Sequence, residues 1–506
     1  MLLPHELLAE MYSAYPQEFQ KFIVGDAPLR EFWSHIPADD PWLQGHPILR
    51  DPDYANHAIP LRLHGDGVPV GKAKRRSLDV VSLSSLTGCP GKSWGTKLLL
   101  SGGVDGAKCE AEGEGGGPST MSVIWQVLLW SFAALCRGRW PVADWTGALW
   151  PESSWRARKA GQRICGEHSF AVMCVSADLD YLCNYFGLSH FNSADQPCFR
   201  CTANRTTKPW SDLRPAAAWR SELLTPAQWL LTPKHQLFAS PRVGISVWHV
   251  CIDVLHTLEL GVCQHVGASC LYMLAFDAGL DGPLANRLAA LWRMVGECYD
   301  ALGTPAGERL AHALFLAIWE KSKSAHPTHY PQLHSKAAVA RHSVPMLKLL
   351  LRRAAPATEA FGHATAVVEG LSLFYDVIRD NGMWLEADAR QEAHDGLLHA
   401  GVHHQALCHL NMASGRKLWY MTEKTHYAQH IALDLMRTGF NPRFGWTYVD
   451  EDYVGRIAQV ARACLRGARA FEGWIRLVVQ VEVLHVLALA TPLSGLTCGL
   501  KIKHGA

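Results

Sequence analysis

Three acidic residues occur in contexts that suit a metal-dependent phosphoryl-transfer site. Asp66 follows the apolar run AIPLRL in a His-Gly-Asp-Gly-Val string, Asp178 ends the run VMCVSAD, and Glu451 lies in GWTYVDEDYVGRIAQV. Hard divalent cations prefer oxygen ligands, and two of them roughly 4 Å apart can clamp the attacking and leaving oxygens of an in-line displacement. We therefore expect a strand ending at Asp66, a second strand and a late helix to bring the three acids to one Mg²⁺ (or Mn²⁺) site. Each acid alone also fits a turn, a helix cap or a solvated position.

The second group that suits a chemical role is the Cys-x-x-Cys motif formed by Cys198 and Cys201. Beside a proline turn, this spacing is typical of a zinc knuckle, and two further ligands are needed. A redox dithiol is the alternative, although no thioredoxin-like context surrounds the motif. The candidates for the remaining zinc ligands are His190, Cys251, His256, His426 and His430. Of these we select His256, together with His426 and His430, which are four residues apart and share a helix face.

The third group is Asp253 and His256, in the string WHVCIDVLHTLELGVCQH. If this segment is helical, the two side chains lie on the same face. A carboxylate that orients a histidine is typical of a metal ligand and its supporting residue. The alternative is an aspartate at a helix N-terminus beside a core histidine.

The elements that must position these residues change in character along the chain. Residues 58–100 and 169–178 contain β-branched and alternating apolar residues, which predict strands. From about residue 215 to 440, apolar residues recur at helical spacing. Because the third acid lies beyond this block, the sequence favours an α/β core interrupted by a helical insertion. We divide the chain into an irregular helical segment (1–57), the first part of the core (58–214), the insertion (215–440), a returning core helix (441–490) and an irregular tail (491–506).

Composition indicates a folded globular protein rather than a disordered one. With 506 residues, 48% of them hydrophobic and 19% charged, the chain is long and apolar enough to fold around a sizeable core. The net charge of +2 does not by itself indicate a nucleic-acid partner, so DNA would have to bind local basic patches. Two such patches are Lys72, Lys74, Arg75 and Arg76, and Arg156, Arg158, Lys159 and Arg163.

Cysteine usage and hydropathy indicate the compartment. Fifteen cysteines without a recognisable signal peptide predict free thiols in a reducing compartment. No apolar run reaches the roughly 18 residues that a membrane span requires, so we expect no membrane partner. The basic string at 72–76 matches a nuclear import pattern of low specificity.

Five motifs together resemble the catalytic domain of eukaryotic cut-and-paste DNA transposases over roughly residues 58–470. The most similar groups are the CACTA (En/Spm-type) and the Kyakuja-Dileera-Zisupton or Plavaka transposases. In chain order, the motifs are Asp66-Gly67; Asp178 followed about twenty residues later by Cys198 and Cys201; Asp253 and His256; His426 and His430; and Trp446, Tyr448, Glu451 and Gly455.

The resemblance implies an α/β fold with an RNase H-like mixed sheet core and a long all-helical insertion between the second and third acids. It also implies that Asp66, Asp178 and Glu451 bind magnesium and that activated water cleaves strands at element ends before a 3′-hydroxyl joins them. The expected partners are double-stranded DNA with terminal inverted repeats and further copies of the chain, in the nucleus.

The chain departs from the family pattern at two of the acids. Asp180 stands where the family usually has a proline, which makes Asp180 an alternative second acid. Asp450 and Asp452 flank Glu451, and mutual repulsion is expected to raise the pKa values of these three groups. Two other interpretations remain: a zinc-stabilised nuclear protein that binds DNA or protein without cutting DNA, and a helical scaffold with coincidental acidic motifs.

Overall fold

The computed structural model describes residues 1–70, 77–104, 108–109, 118–189, 195–232, 234–464, 476–477 and 480–481. The chain divides into two compact units. The first comprises Met1–Val175, Gln236–His249 and Tyr448–Ala506, and the second comprises Ser176–His235 and Val250–Thr447. Each unit is therefore assembled from segments that are distant in sequence.

The protein is of the mixed α/β class. Its strands are β1 (Ala58–Pro69), β2 (Ser77–Ser85), β3 (Leu98–Val104), β4 (Ser169–Ala177) and β5 (Val250–Ile252). They form a mixed sheet in the order β3-β2-β1-β4-β5. β2 pairs antiparallel with both β1 and β3. Every residue of β4 is buried, which explains why its sequence is largely apolar rather than alternating.

The α-helices vary from single turns to more than seven turns. Those before residue 240 are α1 (Pro4–Ala14), α2 (Pro16–Phe19), α3 (Leu29–Ser34), α4 (Tyr54–His57), α5 (Ser93–Thr96), α6 (Thr120–Arg137), α7 (Trp155–Lys159), α8 (Leu179–Asn184), α9 (Pro226–Trp229) and α10 (Gln236–Ala239). The later ones are α11 (Cys263–Asp277), α12 (Leu284–Ala301), α13 (His312–Ala317), α14 (Ala337–Ala354), α15 (Glu359–Asp380), α16 (Ala387–Ala413), α17 (Glu423–Thr438) and α18 (Tyr448–Cys464). Gln20–Val24 and Leu255–Val262 are π-helical.

In the first unit, α18 packs against one face of the sheet. Side chains alternate along a strand, so the even-numbered residues of β1 share this face. The common core comprises Val70, Leu78, Val80 and Leu99 from the sheet side and Tyr453, Val454, Ile457, Ala458 and Ala461 from α18. Each Val, Leu or Ile side chain of this core contributes about 1.5–3 kcal/mol when fully buried, so apolar packing fixes α18 on the sheet.

Helix α6 also belongs to the first unit. The Ser119 hydroxyl accepts a hydrogen bond from the Ser122 N–H (3.2 Å) at its N-terminus, and Gly138 ends the helix with a positive φ of 63°. Within the described part of the chain, α6 is the one helix long and apolar enough to cross a membrane, with a mean hydropathy of 1.3. However, 61% of that window is buried inside the protein, as in a core helix.

In the second unit, α15 and α16 form a closely packed helical hairpin. A Cβ atom added to Gly396 would lie 2.7 Å from the carbonyl oxygen of Gly370, so the two backbones approach where larger residues would not fit. Helix α17 packs against α16. It ends at Gly439, whose φ is 69°.

The predicted strands within 58–100 and 169–178 are confirmed, but two details of the predicted elements are wrong. Asp66 does not end the first strand, because β1 continues to Pro69 and Asp66 is paired opposite Val80. The region between the second and third acids is not all helical, because it contains β5. A three-residue strand is too short to show a periodic pattern in the sequence.

Candidate metal centre and acidic residues

Two cysteines and two histidines meet in the second unit. The ligand atoms of Cys198, Cys201, His426 and His430 all lie within 4.8 Å of one another, and all four residues are buried. This buried group can hold a metal ion such as zinc. The sequence prediction that His426 and His430 complete the Cys-x-x-Cys motif agrees with this arrangement.

The distances within the group fit tetrahedral zinc. The Sγ atom of Cys198 is 3.3 Å from Nε2 of His430, and the Sγ atom of Cys201 is 3.4 Å from Nε2 of His426. The two Nε2 atoms are 3.1 Å apart. Zinc bonds of usual length at tetrahedral angles would separate sulfur from nitrogen by about 3.5 Å and nitrogen from nitrogen by about 3.3 Å. Only small movements are therefore needed to enclose the ion.

Local structure explains why each pair converges. His426 and His430 are one turn apart on α17, so their rings lie on the same helix face. The cysteines belong to an irregular segment in which the backbone N–H of Arg200 donates to the Sγ atom of Cys198 (3.2 Å). Such N–H groups stabilise the negative charge of a thiolate ligand.

Arg200 attaches this segment to its surroundings. Its Nη2 atom donates to the carbonyl oxygen of Val250 (2.6 Å) and to Oδ2 of Asp434 (2.8 Å), which lies on α17 one turn after His430. The cysteine segment and the histidine helix are therefore connected by a salt bridge independent of any metal.

Further contacts orient the histidine ligands. Nδ1 of His426 lies 2.9 Å from the carbonyl oxygen of Trp210, which fixes the proton on Nδ1 and leaves Nε2 as the ligand atom. The fully buried ring of Trp219 lies against both histidines, with centroid distances of 4.4 Å to His426 and 5.2 Å to His430. Supporting hydrogen bonds and an apolar cover are the usual surroundings of a structural zinc ion.

The electrostatics of the two thiols also fit a divalent cation. Burial raises thiol pKa values, but a hydrogen bond from Cys201 and the charges of His430 and His426 hold the pKa of Cys198 well below its usual range. Burial and the neighbouring Cys198 raise the pKa of Cys201. The four side chains by themselves thus stabilise one thiolate, and a cation would supply the charge needed for the second.

His256 is not part of this group, so its prediction as a zinc ligand is wrong. Its Nδ1 atom and its backbone N–H each lie 2.8 Å from Oδ2 of Asp253. The other carboxylate oxygen of Asp253 accepts from the N–H of Thr447 (3.0 Å). The predicted pairing of Asp253 with His256 is confirmed, but it stabilises the start of a π-helix. Among the other candidates, Cys251 lies outside the group, and His190 lies outside the described residues.

The structure places Asp66 on a defined face of the sheet. Asp66 lies on the same face of β1 as Arg62, His64 and Val68, because alternate residues of a strand share a face. This is the face that α18 covers. Asp66 is half-buried, whereas Arg62 and His64 are fully buried. The first acid therefore lies on the covered face, where the solvent-accessible end of β1 begins.

Asp178 belongs to the second unit, directly after β4. It is the N-cap residue of α8, and its Oδ1 atom accepts from the N–H of Tyr181 at 2.6 Å. Asp180 is exposed in the first turn of the same helix and accepts a hydrogen bond from Asn184 (2.7 Å). The Asp178 carboxylate thus caps a helix, and the Asp180 carboxylate is exposed to solvent. These are the alternative roles that the sequence left open for such acids.

The three consecutive acids at the start of α18 have different environments. Asp450 is completely buried, with Oδ2 2.7 Å from Nη2 of Arg62 and Oδ1 2.6 Å from Nζ of Lys97. Asp452 accepts from the Ser93 hydroxyl (2.5 Å) and from Arg456. Glu451 is half-buried at the border of the stripe that packs on the sheet.

These environments correct the expected pKa shifts. Burial would raise the pKa of Asp450, but the charges of Arg62 and Lys97 outweigh burial and hold it far below its usual range. Burial would also raise the pKa of Asp452, but hydrogen bonds from Ser93 and Arg456 outweigh burial and lower it. The raised pKa values expected from mutual repulsion are therefore wrong for both aspartates, because each has a cationic or hydrogen-bonding partner. The sequence did not predict the group formed by Asp450, Arg62 and Lys97, because its members are far apart in the chain.

Of the two basic clusters, one is described. In α7, the Arg156 guanidinium lies over the Trp155 ring (4.8 Å) and 2.7 Å from Glu6 Oε1, and the Lys159 ammonium lies over Trp140 (4.8 Å). Arg163 pairs with Glu167 (3.0 Å). These local partners offset part of the cluster's charge. The other cluster, Lys72, Lys74, Arg75 and Arg76, including the import-like string, lies outside the described residues.

Comparisons with known proteins add no assignment. No protein-family model matches the chain, and a search of curated proteins finds no significant match.

Proposed function

We propose that this protein is a DDE-type DNA transposase, or a derivative of one, that cleaves phosphodiester bonds and transfers strands at element ends. The observation that carries the proposal is the placement of Asp66 on the sheet face covered by α18, whose first turn contains Glu451. Asp66 and the helix that contains Glu451 thus belong to the same unit, although most of the chain separates them.

The motif of the resemblance indicates Glu451 as the third acid, and both of its acidic neighbours have structural partners. Asp450 is neutralised by Arg62 and Lys97, and Asp452 is hydrogen-bonded to Ser93 and Arg456. Glu451 is half-buried beside them, which suits a carboxylate that must both hold its position and reach a ligand. Asp178 is the proposed second acid, with Asp180 as its alternative.

The mixed sheet and the buried Cys₂His₂ group support the same assignment. A mixed sheet flanked by helices is the core that the resemblance implies, and we propose an RNase H-like fold on this basis. The Cys198, Cys201, His426 and His430 side chains come from two motifs of the resemblance and meet in space. We propose that they hold one structural zinc ion.

The chemistry of the donor set fits magnesium or manganese. Asp66 and Glu451 offer carboxylate oxygens, the ligands that these ions prefer. When bound, such an ion activates water and stabilises the charge that develops on the scissile phosphate. Asp66 and Glu451 would hold the ion at a fixed place beside the sheet. The proposed substrate is double-stranded DNA with terminal inverted repeats, bound by a homo-oligomer in the nucleus.

The test is nicking of supercoiled plasmid by the purified zinc-loaded chain in Mn²⁺ or Mg²⁺, followed on gels. We expect metal-dependent relaxation that Asp66→Asn and Glu451→Gln abolish. Asp79→Asn and Asp452→Asn are matched controls that retain it, since Asp79 pairs with Lys108 and Asp452 with Arg456. Unchanged nicking by Asp66→Asn would refute the assignment.

One observation favours a second candidate, a zinc-stabilised nuclear protein that binds DNA or protein without cutting DNA. The Asp178 carboxylate is engaged as a helix cap, which is a structural role. On this alternative, the wild type shifts labelled duplex DNA in gel electrophoresis, and Mn²⁺ produces no nicked product.

A further inference from the structure

A segment rich in tryptophan and basic residues connects α6 to β4 in the first unit. It covers residues 139–163 and contains α7 and four tryptophans spaced by five residues, Trp140, Trp145, Trp150 and Trp155. In the sequence, only its basic residues indicated a ligand. The segment contributes nothing to the Cys₂His₂ group or to the three proposed acids, so its own binding partner is a separate question.

Hydrogen bonds hold the first half of this segment in a tight hairpin. The N–H of Asp144 donates to the carbonyl oxygen of Ala148 (2.8 Å), and the Asp144 carboxylate accepts from the N–H of Ala148 (3.0 Å). Nε1 of Trp150 donates to the carbonyl oxygen of Pro141 (2.9 Å) and closes the base of the hairpin. Trp145 lies in the turn and is 37% exposed, although the backbone around it is fixed.

Helix α7 adds an arrangement of rings and cations beside the hairpin. The rings of Trp140 and Trp155 meet edge to face, with centroids 5.6 Å apart. The Arg156 guanidinium lies 4.8 Å from the centroid of Trp155 and 5.3 Å from that of Trp150. The Lys159 ammonium lies 4.8 Å from the centroid of Trp140. These cation–π contacts fix the rings and the cations relative to one another, while Trp155 is still 40% exposed.

The same segment concentrates the positive charge of the chain. Residues 137–163 contain six arginines and lysines and two acids, so their formal charge is +4, compared with +2 for all 506 residues. Arg158 and Lys159 are both exposed. Among the residues that the structure describes, neither forms a salt bridge, and Arg158 donates to the carbonyl oxygen of Ser153 (3.0 Å). Their charges are therefore available to an anionic partner.

We propose that this surface binds an unpaired strand of nucleic acid, with a base stacked on Trp155 and phosphates beside Arg158 and Lys159. Aromatic rings bind bases by stacking with little dependence on sequence, and basic side chains neutralise the phosphates. In a duplex the base faces are already stacked on each other, so exposed tryptophan rings favour an unpaired strand. Trp145 offers a further ring in the adjoining hairpin. The proposal does not rest on the proposed cleavage activity.

An anionic lipid surface is the alternative partner, since tryptophan and basic residues also occur where proteins bind membranes. Two features favour the nucleic acid. The rings of Trp140 and Trp155 are interleaved with cations rather than grouped into a separate apolar face. Helix α7 has five residues, which is too short to embed an apolar face in a membrane. Leu149 of the hairpin is 79% exposed and would contribute to membrane binding but not to stacking.

The test is fluorescence anisotropy of a labelled oligothymidylate of about 20 nucleotides, titrated with the zinc-loaded chain without added Mg²⁺ or Mn²⁺. We expect Trp155→Leu to weaken binding by about 5- to 150-fold, the usual effect of losing one stacked base. Arg158→Gln with Lys159→Gln should reduce the slope of log affinity against log salt by about 1.4, since each phosphate contact on a single strand contributes about 0.7.

Two matched controls should bind the oligothymidylate as the wild type does. Leu149→Ser changes an exposed apolar side chain of the same segment, and Arg293→Gln removes an exposed cation from α12 in the second unit. Zinc content and circular dichroism show whether each variant is folded. Arg158 and Lys159 are exposed, so their double variant is expected to fold even if Trp155→Leu does not.

Three results would overturn the proposal. The first is an unchanged salt slope in the double variant, and the second is wild-type affinity in folded Trp155→Leu. The third is a wild type that binds phosphatidylserine vesicles but not the oligothymidylate, with vesicle binding weakened in Leu149→Ser. None of these results depends on whether the protein cleaves DNA.

Discussion

Arg62 and Asp450 form a buried ion pair, with Nη2 and Oδ2 2.7 Å apart. Lys97 approaches the other oxygen of the same carboxylate, at 2.6 Å. One residue comes from β1, one from the segment between α5 and β3, and one from the first turn of α18. The pair therefore connects the sheet to the helix that carries Glu451, and it uses the one acid of the 450–452 run that is fully removed from solvent.

Asp450→Asn is expected to destabilise the first unit by about 3–5 kcal/mol. The substitution leaves the charges of Arg62 and Lys97 buried without a counter-charge, and breaking a buried pair in this way has a cost of that order. Chemical denaturation monitored by tryptophan fluorescence measures the shift. Asp452→Asn is the matched control, and it should lose less than about 1 kcal/mol because Asp452 and Arg456 are both partly exposed, at 50% and 43%, and an asparagine can still accept the hydrogen bond from Ser93. Equal losses in the two variants would contradict the structural role of Asp450.

The same carboxylate predicts a dependence of stability on pH. The pKa of Asp450 is lower in the folded state than the value of about 3.9 in an unfolded chain, so the folded state binds fewer protons. Its stabilising contribution is fully present above about pH 4 and is lost as the pH falls through the folded value. The free energy of unfolding should therefore fall more steeply below pH 4 in the wild type than in Asp450→Asn. Parallel pH profiles of the two proteins would argue against this.

Loss of either cysteine should release the proposed zinc ion. We expect about one zinc per chain in the wild type and none in Cys198→Ser or Cys201→Ser, measured by mass spectrometry, together with a lower unfolding midpoint for the second unit. Structural zinc contributes on the order of 10 kcal/mol in small domains, so the loss should be large. Cys270→Ala removes a buried thiol outside the group and should keep its zinc, as should His256→Gln. A zinc-free wild type would end the metal assignment.

Glycine substitutions test the close approach of α15 and α16. Gly396→Ala puts a Cβ atom 2.7 Å from the carbonyl oxygen of Gly370 and is expected to cost about 1–3 kcal/mol. Gly362→Ala, on α15, meets no atom within 4 Å and should instead stabilise the helix by up to about 1 kcal/mol. Thermal unfolding of the two variants measures the difference. Stabilisation by both substitutions would mean that the helices are further apart than described.

Local patterns accounted for much of the fold. Apolar runs in the sequence predicted β1 to β4, and the spacing of His426 and His430 predicted that both rings lie on one helix face. The pattern could not reveal β5, which is three residues long, nor could it show that β1 continues through the glycines beside Asp66. The length of a strand depends on its pairing with a partner strand elsewhere in the chain. The sequence of one strand therefore does not show where its pairing ends.

The sequence by itself determined which residue types were available for chemistry: a Cys-x-x-Cys motif, a pair of histidines one turn apart and acids in strand and helix contexts. Only the tertiary structure decided which of them meet. It joined the cysteines to His426 and His430 rather than to His256, and it assigned Asp450 rather than Glu451 to a buried ion pair. The physical reason is that periodicity fixes the face on which a side chain lies, whereas its partners depend on the packing of elements distant in the chain.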